Sequence, residues 1–279
     1  MYFTKMHGAG NDYIYIDCFR YPEPPDLPRL AKEMSRRHFS VGADGLVLMY
    51  PPKPGTPTDA RMRMFNADGS EGKMCGNAIR CVAKYLVDNG LTDKTELAID
   101  TLSGVKRVTL TASSISVDMG RASFAPEDIP INSKEPAIDY PLTVLEIEFR
   151  ITAVSMGNPH AVNFFPIIDP LPLEHIGPLF ENHEFFPERV NTEFVQVVSE
   201  TELKVRVWER GSGETMACGT GACASVAAAV KKGICKADTP VTVKLPGGDL
   251  VIRVSADFDV TMTGGAEKAF EGVYEYDAE

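Results

Sequence analysis

Apolar and polar residues alternate along two segments of the chain, ARMRMF (60–65) and LKVRVWE (203–209). A period of two is typical of β-strands that bury one face. Each segment leads through a glycine-rich turn to a Cys-Gly pair, and then to an apolar run, AIRCVAKYLVDN (78–89) or ACASVAAAVKK (222–232). Because these runs are apolar on most faces, they predict two helices, each buried at the centre of a domain.

The two halves of the chain repeat one another. With Cys75 placed over Cys218, the segment 61–76 aligns with 204–219 without a gap. Further pairs fall into register at similar offsets: Gly90 with Gly233, Gly10-Asn11 with Gly157-Asn158, and Asp44 with Asn191. Chance similarity would not keep this register over so much sequence. We therefore interpret the chain as two homologous halves.

A hairpin is expected after each predicted helix, with turns at Ser103-Gly104 and at 246–248. Glycines at 90 and 233 suit the helix C-termini. The prediction is an α+β fold of two homologous domains, each with antiparallel strands wrapped around a central helix.

The predicted domains are residues 1–119 together with 265–279, and residues 120–264. The final segment has no counterpart at the end of the first half, which suggests that it returns to the first domain. Proline-rich stretches at 24–28, 50–57 and 125–141 predict surface loops, and the last of them is expected to carry the domain junction.

Composition narrows the classes of function. The 279 residues are 44% hydrophobic and 24% charged, as in ordinary globular proteins. A net charge of −11 argues against a nucleic-acid partner, since no basic stripe is present to replace phosphate counterions. Neither a signal peptide nor an apolar run of membrane-spanning length is recognisable, so we expect no membrane association and a cytoplasmic location. Reduced cysteines are then expected.

Two of the six cysteines stand where a helix begins. Cys75 and Cys218 would each lie beside the positive end of a helix and its unpaired N–H groups, which favour the thiolate and can bind a carboxylate. If the two helix starts face each other, one sulfur could remove an α-proton while the other donates a proton from the opposite side. This chemistry inverts a stereocentre and needs no metal.

Other uses of the cysteines fit less well. Cys75 and Cys81 are spaced too widely for a zinc pair, and the sulfurs of Cys218 and Cys223 would diverge along a helix, so no metal site is predicted. A redox pair is geometrically feasible but lacks a CxxC motif. Cys81, Cys223, Cys18 and Cys235 are interpreted as buried structural residues. The segment HGAGND (7–12) precedes a strand instead of opening a helix, which argues against a phosphate-binding loop.

Several motifs resemble those of diaminopimelate epimerases over nearly the whole chain. They are NADGS-x₄-CGNA-x-R (66–80), ERG-x-G-x-T-x-ACGTG (209–221), HGAGNDY (7–13) and MGNPHAV (156–162). Proline racemases and a phenazine-pathway isomerase share the fold, but proline racemases usually have Cys-Gly-His where this chain has Cys75-Gly76-Asn77.

The resemblance implies an isomerase that converts LL-2,6-diaminopimelate to the meso isomer, a precursor of lysine and peptidoglycan, without pyridoxal phosphate or another cofactor. It implies Cys75 and Cys218 as the acid–base pair, with His160 and Glu209 tuning them. The implied substrate contacts are Asn11, Asn66, Gly76, Asn77, Asn158, Asn191, Glu209, Arg210, Gly219 and Thr220. Asp44 departs from the glutamine of many members, so its contact is not carried over.

Alternatives remain at the level of sequence. One is an amino-acid racemase of the same fold with a smaller substrate, and another is a non-catalytic or redox protein that uses the cysteine pair. The expected partner is a small amino-acid substrate. The sequence leaves the assembly state open, with a homodimer as the candidate.

Overall fold

The structure is a computed structural model that describes residues 1–276 of the chain. The chain divides into two compact units, one made of residues 1–118 with those from 264 onward, and the other of residues 119–263. The first boundary between the units, after Asp118, falls inside a strand. It therefore lies upstream of the proline-rich segment 125–141, which was expected to carry the junction.

In the described residues, unit 1 contains two α-helices, and all of its strands except the last begin before residue 119. The elements are β1 (Tyr2–Gly8), β2 (Asn11–Asp17), α1 (Leu27–Ser35), β3 (Gly45–Tyr50), β4 (Ala60–Asn66), β5 (Glu71–Gly72), α2 (Gly76–Asp88), β6 (Glu96–Thr101), β7 (Gly104–Leu110), β8 (Ile115–Arg121) and, from the end of the chain, β18 (Glu267–Val273).

Unit 2 repeats this order of elements. After a 3-10 turn (Pro126–Asp128) come β9 (Tyr140–Val144), β10 (Ile147–Ser155), β11 (Pro159–Phe165), α3 (Leu173–Glu181), β12 (Asn191–Ser199), β13 (Glu202–Glu209), β14 (Gly213–Thr215), α4 (Gly219–Lys231), β15 (Val241–Leu245), β16 (Gly248–Val254) and β17 (Asp259–Gly264).

The strands pair in the same succession in both units. In unit 1 the order is β18–β1–β2–β3–β4–β6–β7–β8, with β5 also on β4. In unit 2 it is β9–β10–β11–β12–β13–β15–β16–β17, with β14 also on β13. β18 thus takes the place in unit 1 that β9 takes in unit 2.

The ladders are mixed, which corrects the expectation of antiparallel strands alone. The pairs β2–β3, β4–β6, β11–β12 and β13–β15 are parallel. Each parallel pair is connected through a helix, and a crossover of this kind returns the chain in its original direction.

Two of the four α-helices in the described residues, α1 and α3, were not predicted. In α1, residues Leu27, Leu30, Ala31 and Met34 follow helical spacing and pack on buried residues of β2 and β3. The helix begins inside the proline-rich stretch 24–28, with Asp26 as its N-cap and proline in its first turn, where proline's fixed φ is favourable. α3 supplies Leu173 and Phe180 to the apolar core of unit 2.

The helices α2 and α4 occupy the centres of the units, as predicted. α2 packs on β1, β2 and β7, and α4 packs on β10 to β13 and β16. Six of the thirteen residues of α4 are alanine or valine with no exposed surface, which lets the strands approach closely. Each helix is followed by a glycine of positive φ, Gly90 (66°) or Gly233 (72°), as its C-terminus requires.

Candidate active site

Cys75 and Cys218 occupy the N-caps of the two central helices. Both residues have extended backbone, with φ and ψ of −132° and 123° at Cys75 and of −108° and 111° at Cys218. Extended backbone is normal at an N-cap, where the side chain lies beside the free N–H groups of the first turn. The Cys218 sulfur accepts from the N–H of Gly221 at 3.4 Å. Cys218 is buried, whereas Cys75 is partly exposed.

In unit 1 the Cys75 thiol contacts a side-chain amide. Its sulfur donates to Oδ1 of Asn11 at 3.3 Å, and Nδ2 of Asn77 donates to the same oxygen at 3.3 Å. Asn11 follows the tight turn between β1 and β2, in which Gly10 has a φ of 77°. Nδ2 of Asn11 in turn donates to Oδ2 of Asp44 at 2.7 Å.

Asp44 is part of a network of charged groups. Its Oδ2 also accepts from the backbone N–H of Asp12 at 3.1 Å, and its Oδ1 accepts from Arg37 at 2.8 Å. Burial and the neighbouring carboxylate of Asp12 raise the pKa of Asp44. Asp12 is itself paired with Lys5 and Arg37. The Asp44 side chain therefore bonds to protein groups around Asn11.

The other predicted residues of unit 1 lie at the helix start and in the turn before it. Gly76, buried, is the first residue of α2, and its carbonyl accepts from Arg80 at 3.3 Å. Asn77 is also buried. Asn66 is exposed at the end of β4, and its amide donates to Ser70 at 2.9 Å. Asn66 thus belongs to a turn in this structure.

The environment of Cys218 differs from that of Cys75. Burial, and then the carboxylates of Glu209 and Glu193, raise the pKa of the Cys218 thiol well above its ordinary value. Hydrogen bonds from Thr220 and the Gly221 N–H act in the opposite direction without offsetting them. The N–H of Gly221 at the helix start thus favours the thiolate, as expected, but at Cys218 burial and the two carboxylates outweigh it.

His160 lies in a chain of hydrogen bonds that leads toward Cys218. Its ring is completely buried, with Nδ1 2.6 Å from Oε1 of Glu193 and Nε2 3.0 Å from Oδ1 of Asn158. Asn158 donates to the hydroxyl of Thr220 at 3.3 Å, and that hydroxyl lies 3.5 Å from the Cys218 sulfur. The chain of contacts connects Glu193 to the first turn of α4.

Glu193 was missed by sequence reasoning. It lies on β12 in the run NTEFV (191–195), which is buried on both faces and so shows no alternation. Its second oxygen, Oε2, has no hydrogen-bond partner among the described residues. The residues before it, Asn191 and Thr192, are also polar, so the sequence gives no signal that Glu193 is buried.

Glu209 and the residues near it are held by short contacts. The hydroxyl of Thr215 donates to Oε1 of Glu209, and burial raises the pKa of Glu209 while bonds from Thr215 and Cys218 lower it. Asn191 is buried; it donates to the carbonyl of Pro159 at 3.0 Å and accepts from the backbone N–H of Arg210 at 2.9 Å.

Arg210 and Gly219 complete the predicted set in unit 2. The Arg210 guanidinium is partly exposed and donates to the carbonyl of Glu188 at 2.9 Å. Gly219 is the buried first residue of α4. Glu181, also not foreseen, anchors the turn after β13: it accepts from the Trp208 ring at 2.8 Å and from the Gly211 N–H at 2.9 Å.

The remaining cysteines lie outside the two N-caps, and Cys18 is half-buried, not fully buried as expected. Cys81 and Cys223 are fully buried within α2 and α4, and Cys235 is buried. Burial raises the pKa of Cys18 to about 12 and that of Cys81 to about 11, which disfavours a reactive thiolate. Within residues 1–276 no group of three or more His, Cys, Asp and Glu side chains is arranged to hold a metal ion. No helix in the described part of the chain is long and apolar enough to cross a membrane.

Comparisons with known proteins give a consistent result. The family model described as diaminopimelate epimerase matches residues 3–125 and 152–269. The chain is 52% identical to a diaminopimelate epimerase of Acetivibrio thermocellus, over 98% of each chain. It is 49% identical to one of Methanococcus maripaludis, over 98% of this chain and 99% of the relative.

A solved structure with a similar fold is a hydroxyproline epimerase from Agrobacterium vitis with bound trans-4-hydroxy-L-proline. Its TM-score is 0.71 at 16% identity, and the match covers 98% of this chain and 91% of that chain. At this identity the likeness concerns the fold alone, and it confirms the predicted fold class. The sequence matches, which extend over both units, establish that the chain belongs to the diaminopimelate epimerase family.

Proposed function

We propose that the chain is a diaminopimelate epimerase, an isomerase that converts LL-2,6-diaminopimelate to the meso isomer with Cys75 and Cys218 as its acid–base pair. The observation that carries the proposal is that both cysteines occupy the N-cap of the central helix of their unit. The two halves of a duplicated fold thus each present one sulfur beside free helix N–H groups.

The proposed reaction balances protons without a cofactor. Inversion requires a base on one face of the α-carbon and an acid on the other, and the two thiol groups take these roles. One sulfur, as thiolate, removes the α-proton and becomes a thiol. The opposite thiol gives its proton to the carbanion and becomes a thiolate, so the sulfurs exchange protonation states in each turnover.

The helix starts are suited to the charge that develops in this reaction. Removal of the α-proton places negative charge on the substrate carboxylate, and N–H groups at a helix N-terminus stabilise an anion. We assign this role to the residues that open the helices, Gly76 and Asn77 in unit 1, and Gly219 and Thr220 in unit 2. Gly76, Asn77 and Gly219 are buried and Thr220 is partly buried, and the exclusion of water from buried groups strengthens such interactions.

Cys218 rests as a thiol in the proposal. Burial, Glu209 and Glu193 all raise its pKa, so the neutral form persists through neutral pH. The bond from Cys218 to Glu209 gives the proton a carboxylate acceptor beside the sulfur, so that in the direction in which Cys218 is the base its proton passes to Glu209 and Cys75 remains the thiol that donates. We therefore assign the tuning of Cys218 to Glu209, with His160 holding Asn158 and Thr220 in place.

Recognition of the far end of the substrate is assigned to Arg210. A guanidinium presents paired donors that match a carboxylate. The Arg210 side chain is partly exposed and its backbone is held by Asn191, which leaves the guanidinium on a supported turn. We expect Arg210 to bind the distal carboxylate of diaminopimelate. We assign the side-chain amides of Asn66, Asn158 and Asn191 to further substrate contacts, and that of Asn11 to a contact at the reacting centre.

The proposal is tested by following interconversion of LL- and meso-diaminopimelate in ²H₂O. The epimerised centre should acquire a solvent deuteron, and Cys75→Ala and Cys218→Ala should each abolish epimerisation. Cys18→Ala is the matched control, because Cys18 is a half-buried thiol outside both helices and should leave turnover unchanged.

The same assay separates diaminopimelate from smaller substrates. Lysine carries the distal amine without the distal carboxylate, so the enzyme should scarcely act on it. Efficient racemisation of lysine or proline would make the chain an amino-acid racemase of the same fold. Full activity in either cysteine variant would refute the two-base mechanism.

A further inference from the structure

The side-chain amide of Asn11 is bonded at both ends. Its oxygen accepts from the Cys75 sulfur and from Nδ2 of Asn77, both at 3.3 Å. Its nitrogen donates to Oδ2 of Asp44 at 2.7 Å. The amide therefore stands directly between the Asp44 carboxylate and the candidate catalytic thiol.

The groups around Asn11 determine which end of the amide faces the sulfur. An ionised carboxylate can only accept hydrogen bonds, so Asp44 requires the NH₂ end of Asn11. On the other side, Arg80 can only donate, and it donates to Oδ1 of Asn77 at 3.0 Å. Nδ2 of Asn77 is thereby turned toward Asn11. Both sides require the same orientation, with the Asn11 oxygen toward Cys75.

The contact with Asp44 is the strongest of these. It is the shortest at 2.7 Å and involves an ionised acceptor, whereas the two contacts of the Asn11 oxygen are at 3.3 Å. The Asp44 carboxylate is itself held by Arg37 and by the Asp12 N–H. The charged groups that face this region are Lys5 on β1, Asp12 on β2, Arg37 after α1 and Arg80 on α2.

We propose that Asp44 is a positioning residue, which holds the Asn11 oxygen against the Cys75 sulfur and thereby keeps Cys75 as an oriented thiol. The catalytic meaning of this role rests on the proposed function of Cys75. In this view the aspartate acts through Asn11 and does not bind the substrate. The role requires the acceptor oxygen of the side chain; the charge strengthens the bond to Asn11 but is not required for the orientation.

The test is the rate of alkylation of Cys75 by iodoacetamide at pH 7 in the enzyme without substrate, measured by peptide mass spectrometry. Only the thiolate reacts, and the Asn11 oxygen stabilises the thiol. Asp44→Ala frees the Asn11 amide and should raise the rate constant about 3- to 10-fold, as expected for the loss of one hydrogen bond. Cys218, on the other unit, is the internal reference and should react as before.

Asp44→Asn tests whether the acceptor oxygen of Asp44 or its negative charge is required. Its amide oxygen can take the place of Oδ2 and accept from Asn11 and the Asp12 N–H, while the exposed Arg37 moves aside and keeps its pair with Asp12. This variant should return the rate to within about twofold of wild type. Asp88→Ala is the control for removal of a carboxylate, since Asp88 is exposed at the other end of α2. It should leave Cys75 unchanged.

A double-mutant cycle keeps the proposal testable if Asp44→Ala folds poorly. Asn11→Ala removes the acceptor directly and should raise the Cys75 rate at least as much as Asp44→Ala. Combining Asn11→Ala with Asp44→Asn or Asp44→Ala should add nothing further, because Asp44 acts only through Asn11.

An unchanged Cys75 rate in Asp44→Ala would overturn the proposal. So would a rate in Asp44→Asn that matches Asp44→Ala, or additive effects in the cycle, because each would mean that the charge of Asp44 acts directly. All these rates are measured without substrate, so a chain that failed to epimerise diaminopimelate would leave the test intact. The two proposals can thus fail separately.

Discussion

Glu193 and His160 form a fully buried pair, and removing one partner should be costly. Nδ1 of His160 lies 2.6 Å from Oε1 of Glu193, and neither side chain has exposed surface. The first turn of α4 packs on the same carboxylate, since a Cβ at Gly221 would lie 2.7 Å from that oxygen. We expect Glu193→Ala and Glu193→Gln to lower the free energy of unfolding by different amounts.

The magnitudes follow from what each variant leaves buried. Glu193→Ala removes the side-chain partner of Nδ1 of His160 and opens a cavity, and breaking a buried pair in this way costs about 3–5 kcal/mol. Glu193→Gln keeps an acceptor for Nδ1 but places an NH₂ group where Oε2 has no partner among the described residues. A buried donor left without a partner costs about 1–3 kcal/mol.

Both variants should also change the reactivity of Cys218. The negative charge of Glu193 is one cause of the raised pKa of Cys218, so its removal lowers that pKa. The pH at which half of Cys218 is alkylated should move downward, while the profile of Cys75 on the other unit should not move. A general loss of structure would affect both cysteines.

The assays are urea unfolding and the pH profile of alkylation, with Glu148→Ala as the control. Glu148 lies on β10 of the same unit and forms an ion pair with Arg150, but both side chains are 56% exposed. An exposed pair is worth at most about 1 kcal/mol. A free energy of unfolding of Glu193→Ala within about 0.5 kcal/mol of wild type would refute the stabilising role of the pair. An unchanged pH profile of Cys218 alkylation would refute the effect of Glu193 on the pKa of Cys218.

Two further predictions concern the first turn of α4. Gly221→Ala should lower the free energy of unfolding by about 1–3 kcal/mol and reduce turnover, because its Cβ would lie 2.7 Å from Glu193 and 3.3 Å from Cβ of Cys218. Gly265→Ala, with open space around it, is the control, and equal urea midpoints for the two variants would contradict the packing argument. Because the folded-state pKa of Cys218 is raised, the unfolded state loses this proton first as pH rises, and the stability contributed by the thiol is lost above about pH 8.5. Between pH 8.5 and 9.5 the free energy of unfolding of Cys218→Ala should therefore fall by about 1 kcal/mol less than that of wild type. Parallel declines in the two proteins would contradict the raised pKa.

Family membership and the central helices could be predicted from sequence because their signals are local. The Cys-Gly pairs, the apolar runs after them and the closing glycines at 90 and 233 lie within short windows, and the structure places the helices at Gly76–Asp88 and Gly219–Lys231. The internal repeat predicted the shared architecture, and the matching succession of strand pairs confirms it.

Contacts between distant parts of the chain could not be predicted in the same way. The parallel pairs depend on how a crossover returns to the sheet, and α1 is hidden in a stretch whose prolines suggested a loop. The raised pKa of Cys218 depends on burial beside Glu193, a residue 25 positions away in a strand that is buried on both faces. Local helix electrostatics favoured the thiolate, and only the packing of the folded chain reverses that preference.

The duplicated fold has diverged at the positions that surround the two sulfurs. In the alignment of the halves, Asn11 corresponds to Asn158, but Tyr13 stands opposite His160 and Leu46 opposite Glu193. The Cys75 thiol consequently faces a neutral amide oxygen, and the Cys218 thiol lies near buried carboxylates.

The divergence extends to the residues assigned to the far end of the substrate. Arg210 aligns with Ala67, and Glu209 with Asn66, so only one half carries a guanidinium at this position. In diaminopimelate the reacting α-carbon has its carboxylate on one side and a long arm with a second amino-acid group on the other. A single guanidinium on one half therefore matches the asymmetry of the substrate, while the shared helix starts match the symmetry of proton exchange at the α-carbon.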